Sequence, residues 1–266
     1  MKRPFILNYV GSKYDETKKE ISKISINYDK IKICVEPFGG SFGFSRWLYF
    51  DKQKKDIEYH IYDIDKQLID FYKFIKGLSY DEFQDFIDKY NNIQDDIKIK
   101  CGLGSNKKRQ LSKKKLDEYC KTIEDKNIKY MVQRNTTRNQ FCVTSIKKMK
   151  DMIQCYEMFK NTTFYNLDYN DIDLNKYDFD TTLFYLDPPY LACENSYYTE
   201  FKGFNNIFDY IETILKNYPS IFVHIKYPLI TKFYKDYYYC DYPKLYQLRK
   251  HNVFHDVFIN NLSFIV

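Results

Sequence analysis

The stretch that decides the fold is Lys32-Ile33-Cys34-Val35-Glu36-Pro37, followed directly by Phe38-Gly39-Gly40-Ser41-Phe42-Gly43. The first six residues predict a short buried strand that ends at a proline, and the next six predict a glycine-rich turn. Phe44 to Phe50 then predicts the start of a helix, and Glu58 to Asp63 predicts a second strand that ends in an acid. This succession is typical of the first half of a nucleotide-binding βαβ unit.

The same rhythm returns in the second half of the chain. Apolar segments that predict strands lie at 163–168, 182–187 and 220–225, with helices predicted over about 66–75 and 208–216, and with further strands near Tyr246 and Val257. Strands that alternate with helices predict an α/β fold built on a single sheet.

The central part of the chain departs from this rhythm. Residues 77–150 lack buried apolar strands and predict a mostly helical insertion, with a polar loop or hairpin near Arg134 to Phe141. From Ile75 to Lys150 there are 18 Lys and Arg against 10 Asp and Glu, a net charge of +8 in a chain whose total is +6. We therefore predict one discontinuous domain over 1–76 and 151–266, and an inserted basic domain over 77–150.

Composition excludes several classes of protein. A hydrophobic content of 44% supports a real core, and no window approaches the roughly 20 apolar residues of a membrane span. The seven cysteines contain no Cys-x-x-Cys pair, which argues against a zinc or disulfide framework and favours a reducing, cytoplasmic compartment. His251 and His255 have a spacing that a helix offers to a metal, but their apolar neighbours fit a strand at least as well, so we predict no metal site.

Asp187-Pro188-Pro189-Tyr190 follows a strongly apolar strand, which places it at the carboxyl edge of the predicted sheet. Methylation of an aromatic amine is hard because the nitrogen lone pair is delocalised into the ring. A carboxylate and a fixed backbone carbonyl, both accepting hydrogen bonds from the amino group, can localise that lone pair. The prolines fix the carbonyl direction and Tyr190 can stack on the base, which must be flipped out of a duplex to arrive there. The simpler interpretation is a proline-terminated strand with an ordinary turn aspartate.

The glycine-rich turn lacks the features of a phosphate-binding loop. Phe38-Gly39-Gly40 has neither the GxGxxG spacing of dinucleotide sites nor a Gly-Lys-Ser sequence. It therefore suits a nucleoside without phosphates, and S-adenosyl-L-methionine is one. Asp63 ends the second strand and is placed to accept hydrogen bonds from the two ribose hydroxyls. The alternative for Asp63 is a helix N-cap.

Four motifs, in a fixed order, resemble those of the Dam-like (D12 class) site-specific DNA adenine-N6 methyltransferases. They cover most of the chain: Asn8-Tyr9-Val10-Gly11-Ser12-Lys13-Tyr14, Glu36-Pro37-Phe38-Gly39-Gly40, Tyr62-Asp63-Ile64-Asp65 and Asp187-Pro188-Pro189-Tyr190. The resemblance implies a Rossmann-like sheet with one antiparallel strand near its end. It also implies that Tyr9 and Lys13 contact the cofactor, that Asp63 holds its ribose, and that the loop from Phe38 to Gly40 holds its methionine part.

The resemblance gives two further residues a role. Asp168 is similar to the family's acid near the cofactor adenine, although a structural strand-end acid fits nearly as well. Asp187, at the start of the catalytic motif, would lie beside the cofactor, and an acid at this position favours adenine over cytosine as the target.

By the same resemblance, the basic insertion is the target-recognition domain for double-stranded DNA. Lys and Arg contacts to phosphates give affinity that falls with salt. The side-chain types that read base edges in the major groove occur together at Arg134, Asn135, Arg138, Asn139 and Gln140. The alternative is a solvated, lysine-rich helical face of a protein from an AT-rich genome.

Three hypotheses are consistent with these patterns. The first is an active adenine-N6 DNA methyltransferase in a bacterial, phage or large-DNA-virus context, serving restriction-modification, self-protection, or replication and repair marking. The second keeps the chemistry but acts on RNA adenine or on cytosine N4. The third is a catalytically silent DNA-binding relative. The recognition sequence and the oligomeric state stay open.

Overall fold

The computed structural model describes residues 7, 14–19, 21–23, 26–100, 111–138, 142–146, 152–189, 206–225, 228–248 and 251–260. They belong to two compact units. The sheet unit comprises Ser12–Asp70 and Asn161–Val266, and the helical unit comprises Phe71–Lys160 together with Met1–Gly11.

The strands of the described residues are, in chain order, β1 (Ile33–Glu36), β2 (Glu58–Asp63), β3 (Leu111–Ser112), β4 (Thr136–Arg138), β5 (Cys142–Ile146), β6 (Thr162–Asn166), β7 (Thr182–Leu186), β8 (Ser220–Ile225), β9 (Tyr238–Leu248) and β10 (His251–Asn260). The helices are α1 (Tyr14–Lys19), α2 (Gly43–Phe50), α3 (Lys66–Gly77), α4 (Tyr80–Lys100), α5 (Lys113–Lys121), α6 (Lys126–Arg134), α7 (Tyr156–Lys160), α8 (Ile207–Asn217) and α9 (Pro228–Phe233). Short 3-10 helices lie at Ile21–Lys23, Met152–Cys155, Tyr169–Asp171 and Leu174–Lys176.

The sheet unit is built on a seven-stranded sheet in the order β6-β2-β1-β7-β8-β10-β9. The first five strands in this order are parallel. β10 is antiparallel to both of its neighbours. The α/β class is therefore confirmed, and the topology fits a Rossmann-like sheet with one antiparallel strand near its end.

Both faces of the central strands are covered. All five residues of β7 are buried, as expected for an apolar strand between two layers. On one face, Tyr185 of β7 stacks on Phe44 of α2 with ring centroids 4.3 Å apart. The cluster on the other face includes Phe184 and Phe222 from the sheet, packed with Ile211 and Leu215 of α8. The buried residues of α8 recur three or four positions apart, which is the spacing of a helix with one face on the core.

The helical unit contains the predicted helices and hairpin. A capping box starts α4: the Ser79 N–H donates to Glu82 Oε2 at 2.7 Å, and the Glu82 N–H donates to Ser79 Oγ at 3.3 Å. Asp125 caps α6 through the N–H groups of Asn127 and Ile128. Where a polar loop or hairpin was predicted, β4 and β5 form an antiparallel pair. The pairing of β5 with β3 into a three-stranded sheet was not predicted. The unit extends beyond 77–150 at both ends.

Two sequence-level expectations concern membranes and metals. Within the described part of the chain, every helix is too short or too polar to cross a membrane. The same part holds no group of three or more His, Cys, Asp or Glu side chains arranged to bind a metal ion. His251 and His255 lie in a strand, as their apolar neighbours predicted.

Candidate active site

The carboxyl ends of four parallel strands bring the predicted site segments to one edge of the sheet. The order β6-β2-β1-β7 arranges Asp168, Asp63, the loop from Phe38 to Gly40, and Asp187 in that sequence along the edge. Segments 23 to more than 100 residues apart in the chain thus become neighbours, because adjacent parallel strands lie only about 4.8 Å apart. Open α/β sheets bind their ligands at this edge.

Gly39 packs the loop after β1 directly onto the end of β2. Its N–H donates to the carbonyl of Tyr62 at 2.7 Å. A Cβ atom at this position would lie 2.3 Å from Ile61 Cγ2 and 2.9 Å from the Tyr62 carbonyl oxygen. Only glycine therefore permits this approach of the two backbones.

Gly40 ties the same loop to the predicted ribose-binding acid. It adopts a left-handed backbone with φ of 47°, which favours glycine. Its N–H donates to Asp63 Oδ2 at 2.8 Å, while the N–H of Asp65 donates to Asp63 Oδ1 at 2.9 Å. The carboxylate of Asp63 is half-buried and held from both sides.

The N-cap role that was the alternative for Asp63 belongs to Asp65. Asp65 Oδ1 accepts from the N–H of Leu68 at 3.0 Å, and the Asp65 carbonyl accepts from Ile69 at 3.1 Å, which is the pattern of a residue directly before a helix. Asn166, at the end of β6, donates from Nδ2 to the carbonyls of Asp63 and Ile64, both at 3.0 Å. The backbone around Asp63 is thus fixed by its own turn and by the adjacent strand.

Phe42 completes the turn in an unusual conformation. It has φ of 40° and ψ of 53°, a left-handed conformation that is uncommon for a residue with a Cβ atom. Its N–H donates to the Gly39 carbonyl at 2.6 Å, and its buried ring packs edge-on against Phe164 with centroids 5.6 Å apart. Backbone strain of this kind collects at binding sites and costs about 1–3 kcal/mol, which the surrounding packing must offset.

A buried polar cluster lies behind the loop, and the sequence patterns did not predict it. Glu36 Oε1 accepts from the N–H of Ser45 at 2.7 Å. The buried guanidinium of Arg46 donates from Nε to the Ser41 carbonyl at 3.0 Å and lies 5.3 Å from the centre of the Tyr14 ring. The available signal was an arginine inside α2, whose other residues are almost all apolar and buried.

The ionisation of Glu36 is perturbed by its position. Its pKa is raised to about 7, chiefly because the carboxyl group is buried. The hydrogen bonds from Ser45 and the positive charge of Arg46 lower the pKa, whereas the negative charge of Asp187 raises it. Glu36 and Asp187 therefore interact electrostatically across the ends of β1 and β7. A carboxyl group with a strongly raised pKa, close to a second carboxyl group, indicates a candidate active site at this edge.

The Asp187-Pro188-Pro189 segment lies at the carboxyl edge of the sheet, which is the position predicted for it. Asp187 directly follows β7 and is half-buried, Pro188 is buried, and Pro189 is half-buried. Tyr190, Tyr9 and Lys13 lie outside the described residues.

Asp168 lies two residues past β6 and caps a 3-10 helix. Its Oδ1 accepts from the backbone N–H and from the side-chain Nδ2 of Asn170, each at 3.0 Å. The structural role that was the alternative for Asp168 is therefore present. The next residue, Tyr169, packs its ring 5.3 Å from that of Phe38, which joins this turn to the loop after β1.

The predicted base-reading residues differ in their surroundings. Arg134 ends α6, half-buried, with its guanidinium 5.3 Å from the centre of the Tyr130 ring. Asn135 is fully buried, and a hydrogen bond joins its side chain to that of Tyr90, so it belongs to the packing of the helical unit. Arg138 lies in β4, while Asn139 and Gln140 are outside the described residues.

Fold and site together define a class: a mostly parallel α/β sheet whose carboxyl edge holds a glycine-rich loop, a strand-end acid and an Asp-Pro-Pro segment. The model of one protein family, the D12 class N6 adenine-specific DNA methyltransferases, matches residues 9–242. The chain belongs to this family of enzymes. No curated protein matches the chain.

Replacing Gly39 with alanine tests the close approach of the loop to β2. The added Cβ meets the Tyr62 carbonyl oxygen, a backbone atom that cannot rotate away, so we expect a loss of about 1–3 kcal/mol in the free energy of unfolding. Gly77→Ala is the control, because a Cβ there meets nothing within 4 Å at the end of α3. Urea unfolding should show the control unchanged or up to about 1 kcal/mol more stable. Equal stabilities of the two variants would contradict the interpretation.

Replacing Glu36 with glutamine tests whether burial raises the pKa of Glu36. The folded protein holds a proton on Glu36 up to about pH 7, whereas the unfolded chain releases it near its ordinary pKa of 4.5. Stability of the native protein therefore falls as the pH rises between these values, by roughly 3 kcal/mol from this group. Glutamine keeps an oxygen for the Ser45 N–H but cannot ionise, so Glu36→Gln should exceed the native protein in stability at pH 8, and the difference should vanish below about pH 4.5.

The control for this pH dependence is Glu124→Gln, which changes an exposed glutamate between α5 and α6. Urea unfolding between pH 4 and pH 8 should give the control the same pH dependence as the native protein. If the stability of Glu36→Gln varied with pH in the same way as that of the native protein, the raised pKa of Glu36 would be ruled out.

Proposed function

We propose that this enzyme transfers a methyl group from S-adenosyl-L-methionine to the N6 amino group of adenine in a specific sequence of double-stranded DNA, with the target base flipped out of the helix. Family membership implies methyl transfer to adenine in DNA. The observation that carries the proposal is the juxtaposition, at one sheet edge, of Asp187 with the Gly39-Gly40 loop that Asp63 anchors.

The loop suits a cofactor without phosphates. Anion sites use several backbone N–H groups that point outward at the ligand. Here the N–H groups of Gly39 and Gly40 both donate to acceptors within the protein, the Tyr62 carbonyl and the Asp63 carboxylate. A nucleoside bearing an amino acid in place of phosphates fits such a loop better than a nucleotide.

Asp63 suits the ribose of that cofactor. Its carboxylate accepts hydrogen bonds from the N–H groups of Gly40 and Asp65, and an ionised carboxylate has about four acceptor positions on its two oxygens. Because the N–H groups of Gly40 and Asp65 each donate to a different oxygen, the carboxylate plane has a fixed orientation towards the edge. In the proposal it accepts hydrogen bonds from both ribose hydroxyls.

The cofactor supplies an electrophilic methyl group on a positively charged sulfur. The chain supplies acceptors that make the adenine nitrogen nucleophilic: the Asp187 carboxylate and the Pro188 carbonyl accept the two amino hydrogens. Pro188 and Pro189 fix φ and so hold that carbonyl in one direction. Such catalysis rests on positioning and on fixed acceptors, with no covalent bond between enzyme and substrate. As the bond from the methyl carbon to the amino nitrogen forms, the bond from that carbon to sulfur would break, and the sulfur would leave as a neutral thioether. One amino proton would then pass to the Asp187 carboxylate, which accepts its hydrogen bond, and from there to solvent.

In our proposal the helical unit recognises the DNA target. Its segment from Ile75 to Lys150 carries the positive excess of the chain, which favours phosphate contacts. Arg134 is a candidate for base reading or backbone contact, because it lies half-buried at the end of α6, directly before the β4–β5 hairpin. Asn135 is left out of the contact set, since its buried side chain would have to leave the core to reach a base.

Replacing Asp187 with alanine tests the proposed reaction. We expect transfer of labelled methyl groups to duplex DNA to fall by about 10³-fold or more, because an acceptor aimed at the reacting nitrogen is lost. Asp180→Ala is the control, since Asp180 is an exposed aspartate just before β7, at the other end of the same strand. Cofactor binding should persist in both variants.

Digestion of the labelled DNA identifies the methylated base. N6-methyladenine is expected, and sequencing of the methylated sites gives the recognition sequence. If the product were N4-methylcytosine, the substrate would be cytosine instead of adenine. If only RNA were methylated, the substrate would be RNA instead of DNA. A native enzyme that binds the cofactor but methylates no duplex would overturn the proposed function.

Replacing Asp63 with asparagine tests the proposed cofactor site. The amide still offers an oxygen to the Gly40 N–H, but hydrogen bonds from the ribose lose a charged acceptor, which contributes about 1.5–3 kcal/mol. Calorimetric titration with S-adenosyl-L-methionine should therefore show affinity reduced roughly 10- to 100-fold. Asp56→Asn, an exposed change just before β2, should leave affinity unchanged. Equal affinities for the two variants would remove Asp63 from the site.

A further inference from the structure

One residue, Asn135, forms the joint between α6 and the β4–β5 hairpin. It lies between Arg134, the last residue of α6, and Thr136, the first residue of β4. Its N–H makes the last hydrogen bond of the helix, to the Met131 carbonyl at 2.8 Å. The chain therefore changes from helix to strand at a single residue, and the conformation of that residue sets the direction in which the hairpin leaves the helix.

The joint is held from inside the helical unit. The side chain of Asn135 shares a hydrogen bond with the side chain of Tyr90 in α4. The Tyr90 hydroxyl also accepts a hydrogen bond from Nε2 of Gln94, one helical turn later. All three side chains are fully buried, so water does not compete for these hydrogen bonds. The Tyr90 hydroxyl is therefore the point through which α4 orients the joint.

The residue before the joint lies on a buried aromatic ring. The guanidinium of Arg134 lies 5.3 Å from the centre of the Tyr130 ring, one helical turn earlier in α6. Tyr130 is buried, and its ring packs against that of Phe71 in α3 with centroids 5.2 Å apart. A cation over the face of an aromatic ring is attracted to it, so this contact favours one position of the guanidinium. Arg134 and the hairpin are thus oriented by two anchors, Tyr130 and Tyr90.

Stabilisation of the core explains the network of Tyr90, Gln94 and Asn135 less well than positioning does. Apolar side chains could fill the same space without the removal of three polar groups from water. A buried polar network favours a single arrangement, because its hydrogen bonds form in only one relative position of the elements that it joins. This network joins α4 to the first residue after α6, so a small change of angle there displaces the whole hairpin.

Orientation matters for base recognition and much less for phosphate contacts. An arginine that reads a base donates two parallel hydrogen bonds, which need alignment. A lysine contacts a phosphate as a point charge at the end of a flexible chain, so it tolerates a displacement of its backbone. A change at the joint should therefore relax sequence discrimination and leave non-specific affinity for DNA intact.

We propose that Tyr90, acting through Asn135, is a positioning residue for DNA recognition. Its hydroxyl fixes the angle between α6 and the β4–β5 hairpin, and with it the presentation of Arg134 to the bases. This proposal rests on the function proposed above, in which the helical unit recognises the DNA target. It assigns part of the sequence specificity to buried residues that touch no base.

The experiment removes the Tyr90 hydroxyl and keeps the ring, in the variant Tyr90→Phe. The control is Tyr119→Phe, because the Tyr119 hydroxyl donates to Asp96 and joins α5 to α4 in the same unit. The native protein and both variants are each given a library of duplexes of random sequence. Sequencing identifies the duplexes that each protein binds and the adenines that it methylates. Thermal unfolding measures the stability that each variant loses, and binding to a duplex without the selected sequence gives the non-specific affinity.

Tyr90→Phe should discriminate about tenfold less well between the native recognition sequence and sequences that differ from it at one base pair. A well-aligned base contact provides discrimination of about this size. Non-specific affinity should be unchanged. The control should lose a similar stability, since it also loses one hydroxyl, and should keep the native discrimination. Native discrimination in Tyr90→Phe, or an equal loss in the control, overturns the proposal.

Asn135→Leu tests the same link from its other end, and it replaces Tyr90→Phe if that variant does not fold. Leucine has the branched shape of asparagine but makes no side-chain hydrogen bond. Because the two residues act through one hydrogen bond, the double variant should lose no more discrimination than either single variant. Losses that add would show two independent effects and would contradict the action of Tyr90 through Asn135.

The two proposals fail separately. If the native protein methylates a specific duplex sequence but Tyr90→Phe keeps the native discrimination, the positioning proposal alone fails. If the native protein methylates no duplex, the proposed function fails, and the sequences selected by binding still decide the role of Tyr90. A native protein that selects no sequence overturns the positioning proposal as well.

Discussion

The hydrogen bond from the Gly40 N–H to the Asp63 carboxylate is the contact on which the candidate site depends. Together with the bond from Gly39 to the Tyr62 carbonyl, it fastens the loop after β1 to the end of β2. The two strands are also paired in the sheet, but strand pairing alone does not fix the conformation of the loop. The two hydrogen bonds do fix it, and they require a residue without a Cβ atom at position 39 and a left-handed backbone at Gly40. The same bonds orient Asp63, so loop and acid form one preorganised unit.

The polar cluster beneath this unit explains how the edge carries several acids in a small space. Glu36 is buried, and ionising it there is costly, as its raised pKa shows. The Ser45 N–H and the charge of Arg46 reduce that cost, while the charge of Asp187 increases it. Arg46 in turn is held by the Ser41 carbonyl, which belongs to the glycine-rich turn. The turn, α2 and Asp187 are therefore coupled through electrostatics as well as through packing.

Much of the sheet unit could be predicted from the sequence because its strands are short apolar runs bounded by glycine, proline and acids. The limits of β2 and β8 were predicted to the residue, and those of β7 to within one. The position of Asp187 at the carboxyl edge could be predicted from the same pattern. Periodicity indicates which residues form a strand, and the acids and glycines after each run mark the segments that line the edge.

Other features depend on tertiary contacts that local patterns do not encode. Asp65 was available as the helix cap, since it directly precedes the predicted helix, yet Asp63 was considered for that role because it ends the predicted strand two residues earlier. The buried position of Asn135 depends on Tyr90, 45 residues earlier in the chain. A side chain that is a good base reader by type is an equally good partner inside a core, and only its neighbours separate the two roles.

The sheet order also divides the edge into two halves. β7 lies at the middle of the seven strands, with β6, β2 and β1 on one side and β8, β10 and β9 on the other. The glycine loop and Asp63 belong to the first side, and the second side ends in the antiparallel pair of β10 and β9. In the proposed function, the acid between these halves faces the cofactor on one side and the flipped base on the other. In-line transfer between two substrates needs this geometry, because donor and acceptor must approach the reacting atom from opposite directions.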